Sequence, residues 1–421
     1  MLSKSEFEKL PLFITTMSRW DGSLSSASLA LAKVFSQTNP VYYIDYPITY
    51  ADFLREYKTP GIRRRLPALV AGRRYLTPVP GQPENLVAAT PKLVIPSYSL
   101  PAGPVADRVM HHNNKVVAAL VRRILKEKGL RDYLFLNSFN PGYLSRIRQY
   151  LDPTLAVYQS RDAVEDSLKD GIAKENECVQ QYDLSVATSL QLCRNISARN
   201  QRPVHYLPNG GDISLFRKAQ EQEGPRPADL QDVRTPIIGY TGAVCQRMDY
   251  ELLLKMAKAH PDKTIVLVGP LKKEHLQGID LSSQPNILCT GAKRIEELPA
   301  YLRCFDCAVI PFLRNNLTGG IYPLKINEYL AAGCPVLTTH FSEDIASFSD
   351  QVYLARSHDE FLALLPQALG DHSPERRRQR LAAAAGNSWE RRVETFWQLA
   401  WEAYRQKHGS PARNPIPQTT L

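Results

Sequence analysis

From Thr235 onward the chain alternates short apolar runs with helix-like stretches, and this limits the fold more than any other feature of the 421 residues. The runs TPIIGYTG, KTIVLVG, NILCTG, DCAVIPF, PVLTT and QVYLA are of strand length and largely apolar, as strands covered on both faces must be. Between them, Leu252, Leu253 and Met256 form the apolar stripe of one helix. Ile295, Leu298 and Leu302 form that of another, in which Pro299 is tolerated only in the first turn. Strands alternating with helices imply a parallel sheet, so the second half is a doubly wound α/β domain.

The first half repeats the theme less cleanly. PLFITTMS, PVYYIDY, KLVIP, YLFLN, LAVYQ, YDLSVATS and PVHYLPN read as strands, while residues 47–90, Pro-rich and basic, receive no assignment. The polar stretch KAQEQEGPRPADLQDVR holds two prolines and reads as a linker over 218–234. The predicted organisation is therefore an N-terminal domain over 1–217, that linker, a C-terminal domain over 235–385 and a helix over 386–408. Asn387 and Glu390 have the spacing of a capping box that would open this helix. Its stripe of Trp389, Val393, Phe396, Trp397, Ala400 and Tyr404 requires a surface to bury against. Residues 409–421 have the composition of a disordered tail.

Seven cysteines scattered over this length do not read as a disulfide framework. Cys304 and Cys307 form a Cys-x-x-Cys without the second pair a zinc site needs, and read as small core residues. The start MLSKSEFEKLPLFITT is not a signal peptide, and no apolar run is long enough to span a bilayer, so a cytoplasmic location is expected. The net charge of +10 suits anionic partners, but no nucleic-acid module accompanies it and none is expected as a partner. The densest basic patch holds Arg55, Lys58, Arg63, Arg64, Arg65, Arg73 and Arg74. It reads equally as a solvated loop or as a peripheral contact with an anionic membrane, at the inner face of the cytoplasmic membrane.

In open parallel sheets ligands bind beyond the carboxyl ends of the strands, where helix N-termini favour phosphate. Three loops have that position. In GYTGAVCQRMDYELL the turn at Gly242 permits close backbone approach and Arg247 offers charge-assisted bonds to a diphosphate. In NNLTGGIYPLKINEYLAAGCPVLTT, Gly319, Gly320 and Tyr322 precede a helix on which Lys325 and Glu328 share a face. The pair reads either as a surface salt bridge or as a cation for phosphate beside a carboxylate for ribose hydroxyls. The third loop, LPNGGDISLF, carries Asn209.

Together these segments resemble the GT-B glycosyltransferases of family 4. The resemblance rests on Pro208 to Phe216, the GYTGA turn with its following basic residue, VLVGP, the Gly291 segment leading to LPAYLRCFDCAVIPF, PLKINEYLAAGCPVLTT and NSWERRVETF, in that order over residues 203–405. It implies two Rossmann-like domains facing each other across a cleft, with the terminal helix crossing back to the N-terminal domain. It also implies transfer of a sugar from a nucleotide-diphosphate donor to a hydroxyl acceptor, usually with retention of anomeric configuration. Arg247 would contact the diphosphate and Glu328 the ribose. The family usually has a second glutamate eight positions before Glu328; here that residue is Gly320. Pro-Leu-Lys before Glu-Tyr-Leu is closest to the bacterial subgroup that builds surface polysaccharides, whose acceptors are glycans or lipid-linked glycans.

No Asp-x-Asp occurs, so neither metal nor other cofactor is indicated. The expected catalytic groups are Arg247 and Lys325, and the expected donor-binding residues are Gly242, Gly319, Gly320, Tyr322, Glu328 and Asn209. Should the reaction invert, Asp21 in the SRWDGS loop is the candidate base. Its other reading is a polar loop residue. Two rival functions stay open: a nucleotide-sugar epimerase of the same fold, and a non-catalytic nucleotide-sugar binder.

Overall fold

The computed structural model describes residues 1–22, 26–98, 100–101, 103–164, 170–221, 224–276 and 278–409. They divide into two units, one of residues 1–187, 192–207 and 393 onward, the other of 188–191 and 208–392.

The first unit is built on an eight-stranded sheet. Its strands are β1 (Leu12–Thr16), β2 (Val41–Ile44), β3 (Leu76–Pro78), β4 (Leu86–Ala89), β5 (Leu134–Ser138), β6 (Leu155–Ser160), β7 (Leu184–Ala187) and β8 (His205–Tyr206). They run in the order β3-β4-β2-β1-β5-β6-β7-β8, parallel except for the β3/β4 pair. Every residue of β1, β2, β5 and β6 is buried. That is the reason their sequences read as unbroken runs rather than alternating ones.

Residues 47–90 contain two helices and two strands. Helix Tyr50–Glu56 opens at Thr49, whose hydroxyl accepts from the Asp52 N–H at 3.0 Å. Helix Pro60–Ala71 opens at Thr59 and closes on Gly72, whose φ of 62° suits a left-handed cap. KLVIP is not a strand; LVAA, a few residues earlier, takes the place beside β2. Leu93 instead packs with Ile48, Ile62 and Leu69. Val94 exchanges backbone hydrogen bonds only with Ile48 and Tyr50. Burial beneath the two helices explains the apolar run without a sheet.

The second unit holds β9 (Ile237–Thr241), β10 (Thr264–Val268), β11 (Ile287–Gly291), β12 (Cys307–Ile310), β13 (Val336–Thr339) and β14 (Tyr353–Ala355). The sheet is parallel in the order β11-β10-β9-β12-β13-β14. Growth reverses between β9 and β12, which makes the carboxyl ends of these two strands the topological switch point.

The stretch read as a linker belongs to this unit. Helix Ile213–Glu221 runs into it, and Phe216, Ala219 and Leu230 are buried in the unit's core. Spacing of Phe216 and Ala219 by three, with polar residues between, is a one-sided helix rather than a tether. The terminal helix spans Trp389–His408 and is capped by Ser388, not Asn387: the Ser388 hydroxyl accepts from the Arg391 N–H at 3.3 Å. The Asn387 side-chain oxygen accepts instead from the Arg392 guanidinium, and its NH2 donates to the Ala383 carbonyl. From Val393 on, the helix packs in the first unit, where Phe396 meets Phe35 at 5.0 Å and Trp397 meets Phe7 at 5.9 Å between ring centroids. Apart from Gly409, the tail assigned as disordered lies outside the described residues.

Candidate active site

Two glycines bring the loops after β9 and β10 together. A methyl group on Gly269 would stand 2.0 Å from the Gly242 carbonyl oxygen, and the Gly242 N–H donates to the Val268 carbonyl at 2.7 Å. Gly242 itself has a φ of 129°, outside what other residues readily adopt. Beyond it the loop returns to β12: the Asp249 N–H donates to the Pro311 carbonyl, and the Asp249 carboxylate caps helix Tyr250–Ala259.

After β12 the chain passes through a short turn at Asn316–Gly319 and enters helix Leu324–Ala331 behind Pro323. This helix directs Lys325 over Gly242. A methyl on Gly242 would lie 2.2 Å from Lys325 Cε, and Lys325 Nζ stands 5.6 Å from the centre of the Tyr240 ring. The side chains of Lys325, Glu328 and Arg247 have no hydrogen-bonding or ion-pair partner among the described residues. Burial pulls the Lys325 ammonium below its ordinary value; the Arg247 charge pulls the same way, and Glu328 opposes it. Burial pushes the Glu328 carboxyl up to about 7, against Lys325 and with help from Asp212. Lys325 thus feels one carboxylate and one further cation while its own donors, like those of Arg247, stay unused among the described residues, which leaves them for an anionic ligand.

The loop at Asn209 is fixed from the same helix. The Asn209 carbonyl accepts from the Asn327 amide and from Arg392 Nε, each at 3.4 Å. The buried Tyr322 hydroxyl lies 3.2 Å from Asn327 Oδ1. A methyl on Gly211 would meet Asn327 Cβ at 2.8 Å. Asn327 thus ties Tyr322 and the Asn209 loop into one frame.

The structure lays Lys325 against Gly242, within reach of the charges of Glu328 and Arg247, and Asn327 of the same helix holds Tyr322 and the Asn209 loop. Gly319 has a different environment: a methyl there would stand 2.3 Å from Gln191 Oε1. Gly320 has a φ of −83°, which any residue can take, so the backbone does not demand the missing carboxylate's absence. Asp21, in the first unit, is held by Arg65 at 2.7 Å and Arg64 at 3.2 Å. Burial raises its pKa, but Arg65 and Arg64 outweigh this and hold it below the usual carboxylate range. A carboxylate so paired is a poor general base. Sequence reasoning passed over Gly269, Asn327 and Tyr329, whose hydroxyl accepts from the Thr241 N–H at 2.9 Å. Gly269 was detectable as a glycine ending an apolar run; the other two were indistinguishable from helix interior.

Residues 235–370 match the family model described as glycosyl transferases group 1. The chain is also similar to TuaH of Bacillus subtilis (strain 168), a provisionally assigned teichuronic acid biosynthesis glycosyltransferase, with 26% identity over 208 residues. That alignment covers 48% of this chain and 52% of TuaH, about half of each. Among solved structures, the trehalose-6-phosphate protein of E. coli bound with UDP-2-fluoro glucose superposes with a TM-score of 0.65 at 13% identity, covering 94% of this chain and 99% of the other. Sucrose-phosphate synthase of Thermosynechococcus elongatus gives 0.64 at 14%, over 94% and 99%. Anabaena Alr3699/HepE in complex with UDP and glucose gives 0.59 at 14%, over 92% and 98%. At such identities these three speak to the fold, which is GT-B with two Rossmann-like units.

Proposed function

We propose that the protein is a glycosyltransferase that moves a sugar from a nucleotide-diphosphate donor to a hydroxyl acceptor in bacterial polysaccharide or glycolipid synthesis. The observation that carries this reading is Lys325 laid against Gly242 at the switch point of the second sheet, with the charge of Arg247 acting on the same ammonium and neither cation ion-paired among the described residues. Arg247 and Lys325 would bind the diphosphate, and Glu328 would accept from the ribose hydroxyls. Breaking the bond between the anomeric carbon and the phosphate oxygen leaves charge on that oxygen, which the two cations stabilise. The acceptor oxygen forms the new bond to the anomeric carbon and its proton passes to the leaving phosphate, which keeps the anomeric configuration without a side-chain base. The donor reading is supported by the UDP-containing ligands of two of the fold's relatives, and the pathway by the name of TuaH.

Attachment to an anionic membrane is part of the proposal. Helices Tyr50–Glu56 and Pro60–Ala71 expose Leu54, Leu66 and Val70, with Val70 62% exposed, and Tyr57 between the helices is exposed too, next to Arg55, Lys58, Arg63, Arg73 and Arg74. Apolar side chains beside cations are the composition of an interfacial surface. Arg65 is excluded from it, because its guanidinium is buried against Asp45. No helix of the described residues is long and apolar enough to cross a membrane.

Calorimetric titration with uridine, guanosine, adenosine and cytidine diphosphates tests the donor reading. Saturable binding of one of them, weakened by Arg247→Ala, is expected. Failure of all four to bind overturns it.

A further inference from the structure

Away from the switch point, the first unit contains a cavity of about 300 Å³. Its walls are Ala68 of helix Pro60–Ala71, Val116, Ala119 and Leu120 of helix Pro104–Lys128, and the Tyr75 ring, with Thr90 at the side. The mouth is cationic. Lys92 is exposed and lies across Gly72, where an added methyl would stand 2.7 Å from Lys92 Cε. Lys92, Arg73 and Arg74 have no ion-pair partner among the described residues. Arg123 is neutralised by Glu127 at 2.7 Å, stacks on Tyr75 and donates to the Gly72 carbonyl. Glu127 is therefore already spent on Arg123 and Tyr75.

We infer that this cavity takes the hydrocarbon chain of a single-chain phosphate lipid, an alkyl or isoprenoid phosphate, with its phosphate at Lys92 and the neighbouring Arg73 and Arg74. The volume decides the chain count. An apolar cavity of about 150 Å³ encloses a benzene ring, so 300 Å³ holds roughly a dozen carbons, the leading part of one chain and not of two. The charge decides the head group: Lys92, without an ion-pair partner among the described residues, lines the opening, and the exposed Arg73 and Arg74 follow directly on Gly72 of its rim, which suits a phosphate monoester rather than a neutral or zwitterionic group. The inference deepens the proposed membrane attachment and rests on it for the route by which a lipid arrives. Binding itself is measured without a membrane and without sugar transfer.

The test is titration of the full chain with dodecyl phosphate below its micellar concentration, with inorganic phosphate and dodecanol as companion probes. Saturable one-to-one binding of dodecyl phosphate is expected, with inorganic phosphate and dodecanol each at least tenfold weaker. Ala119→Trp, which fills the mouth from an exposed position, and Lys92→Glu are each expected to weaken it at least tenfold while the thermal melt stays at the wild-type temperature. Absence of saturable binding, or binding indifferent to Ala119→Trp, overturns the inference. Attachment of Ala119→Trp to anionic vesicles at the wild-type level would leave the membrane reading standing, so the two fail separately.

Discussion

Lys325 and Gly242 compete for the same space. The Lys325 side chain crosses where a Gly242 side chain would begin, with Cε 2.2 Å from that point and Nζ 2.6 Å from it. Gly242→Ala therefore both strains a backbone at φ 129° and displaces the ammonium. A stability loss of about 1–3 kcal/mol is expected. A displacement of this size is expected to lower kcat on the order of 10²-fold, beyond what the fraction unfolded explains. Denaturant titration alongside steady-state kinetics checks both.

Glu328 is expected to link activity to pH. Its carboxyl is pushed up to about 7 from an ordinary 4.5, so the native state holds this proton more tightly than the unfolded chain. Its contribution to stability is full below about 4.5 and is lost as pH rises through about 7. Glu328→Gln cannot lose it, and is expected to melt above the wild type at pH 8 and with it at pH 4. In the proposed role the ionised carboxylate is the stronger acceptor for ribose hydroxyls, so nucleotide affinity should rise between pH 6 and 8 by a component that Glu328→Gln abolishes. Equal pH dependence in both proteins would contradict this.

Arg65 is a structural cation, not a surface one. Its guanidinium donates to Asp45 at 2.8 Å and to Asp21 at 2.7 Å, and the Asp45 side chain is wholly buried. Burial disfavours the charge, yet the two carboxylates outweigh it and raise the pKa. Arg65→Met leaves Asp45 buried without its cation and is expected to cost about 3–5 kcal/mol. Chemical unfolding of the variant measures this.

The same helix shows how far sequence reasoning reaches. Every strand of the second unit was legible: burial makes the inner strands β9, β10, β12 and β13 unbroken apolar runs, and the half-buried edge strands β11 and β14 keep enough apolar residues to read alike. KLVIP has the same signature and is not a strand, since burial under a helix writes the same composition as burial in a sheet. Arg65 could not be told from Arg63, Arg64 or Arg73: its partners are 20 and 44 residues away, and nothing local marks them. In the candidate site Arg247, Lys325 and Glu328, the residues proposed to carry the chemistry, stand out in the sequence by type and loop position. The supports were not. Asn327 and Tyr329 face the loops at Asn209 and Thr241, and only the packed helix reveals which face that is.

Membrane attachment should depend on both components of the exposed surface. Each cation near an anionic bilayer contributes about 1 kcal/mol. Reversing Arg63, Arg73 and Arg74 to Glu is expected to release the protein from anionic vesicles, and Leu66→Asp with Val70→Asp to do so in part. Sedimentation with neutral and anionic vesicles reads the outcome, and equal partitioning of the wild type onto both would contradict it.

The central claim is that the cations at Gly242 drive transfer of a sugar from a nucleotide diphosphate. Mass spectrometry of a reaction containing the protein, a panel of nucleotide-diphosphate sugars and a lipid-linked glycan extract, with chelator present, tests it directly. The account predicts one glycosylated product with matching release of nucleoside diphosphate, retained with chelator. Lys325→Ala should cut kcat by about 10²–10³-fold, and Glu328→Ala should act chiefly on donor affinity. Conversion of a nucleotide sugar to its epimer without transfer, or transfer undiminished in Lys325→Ala, would contradict it.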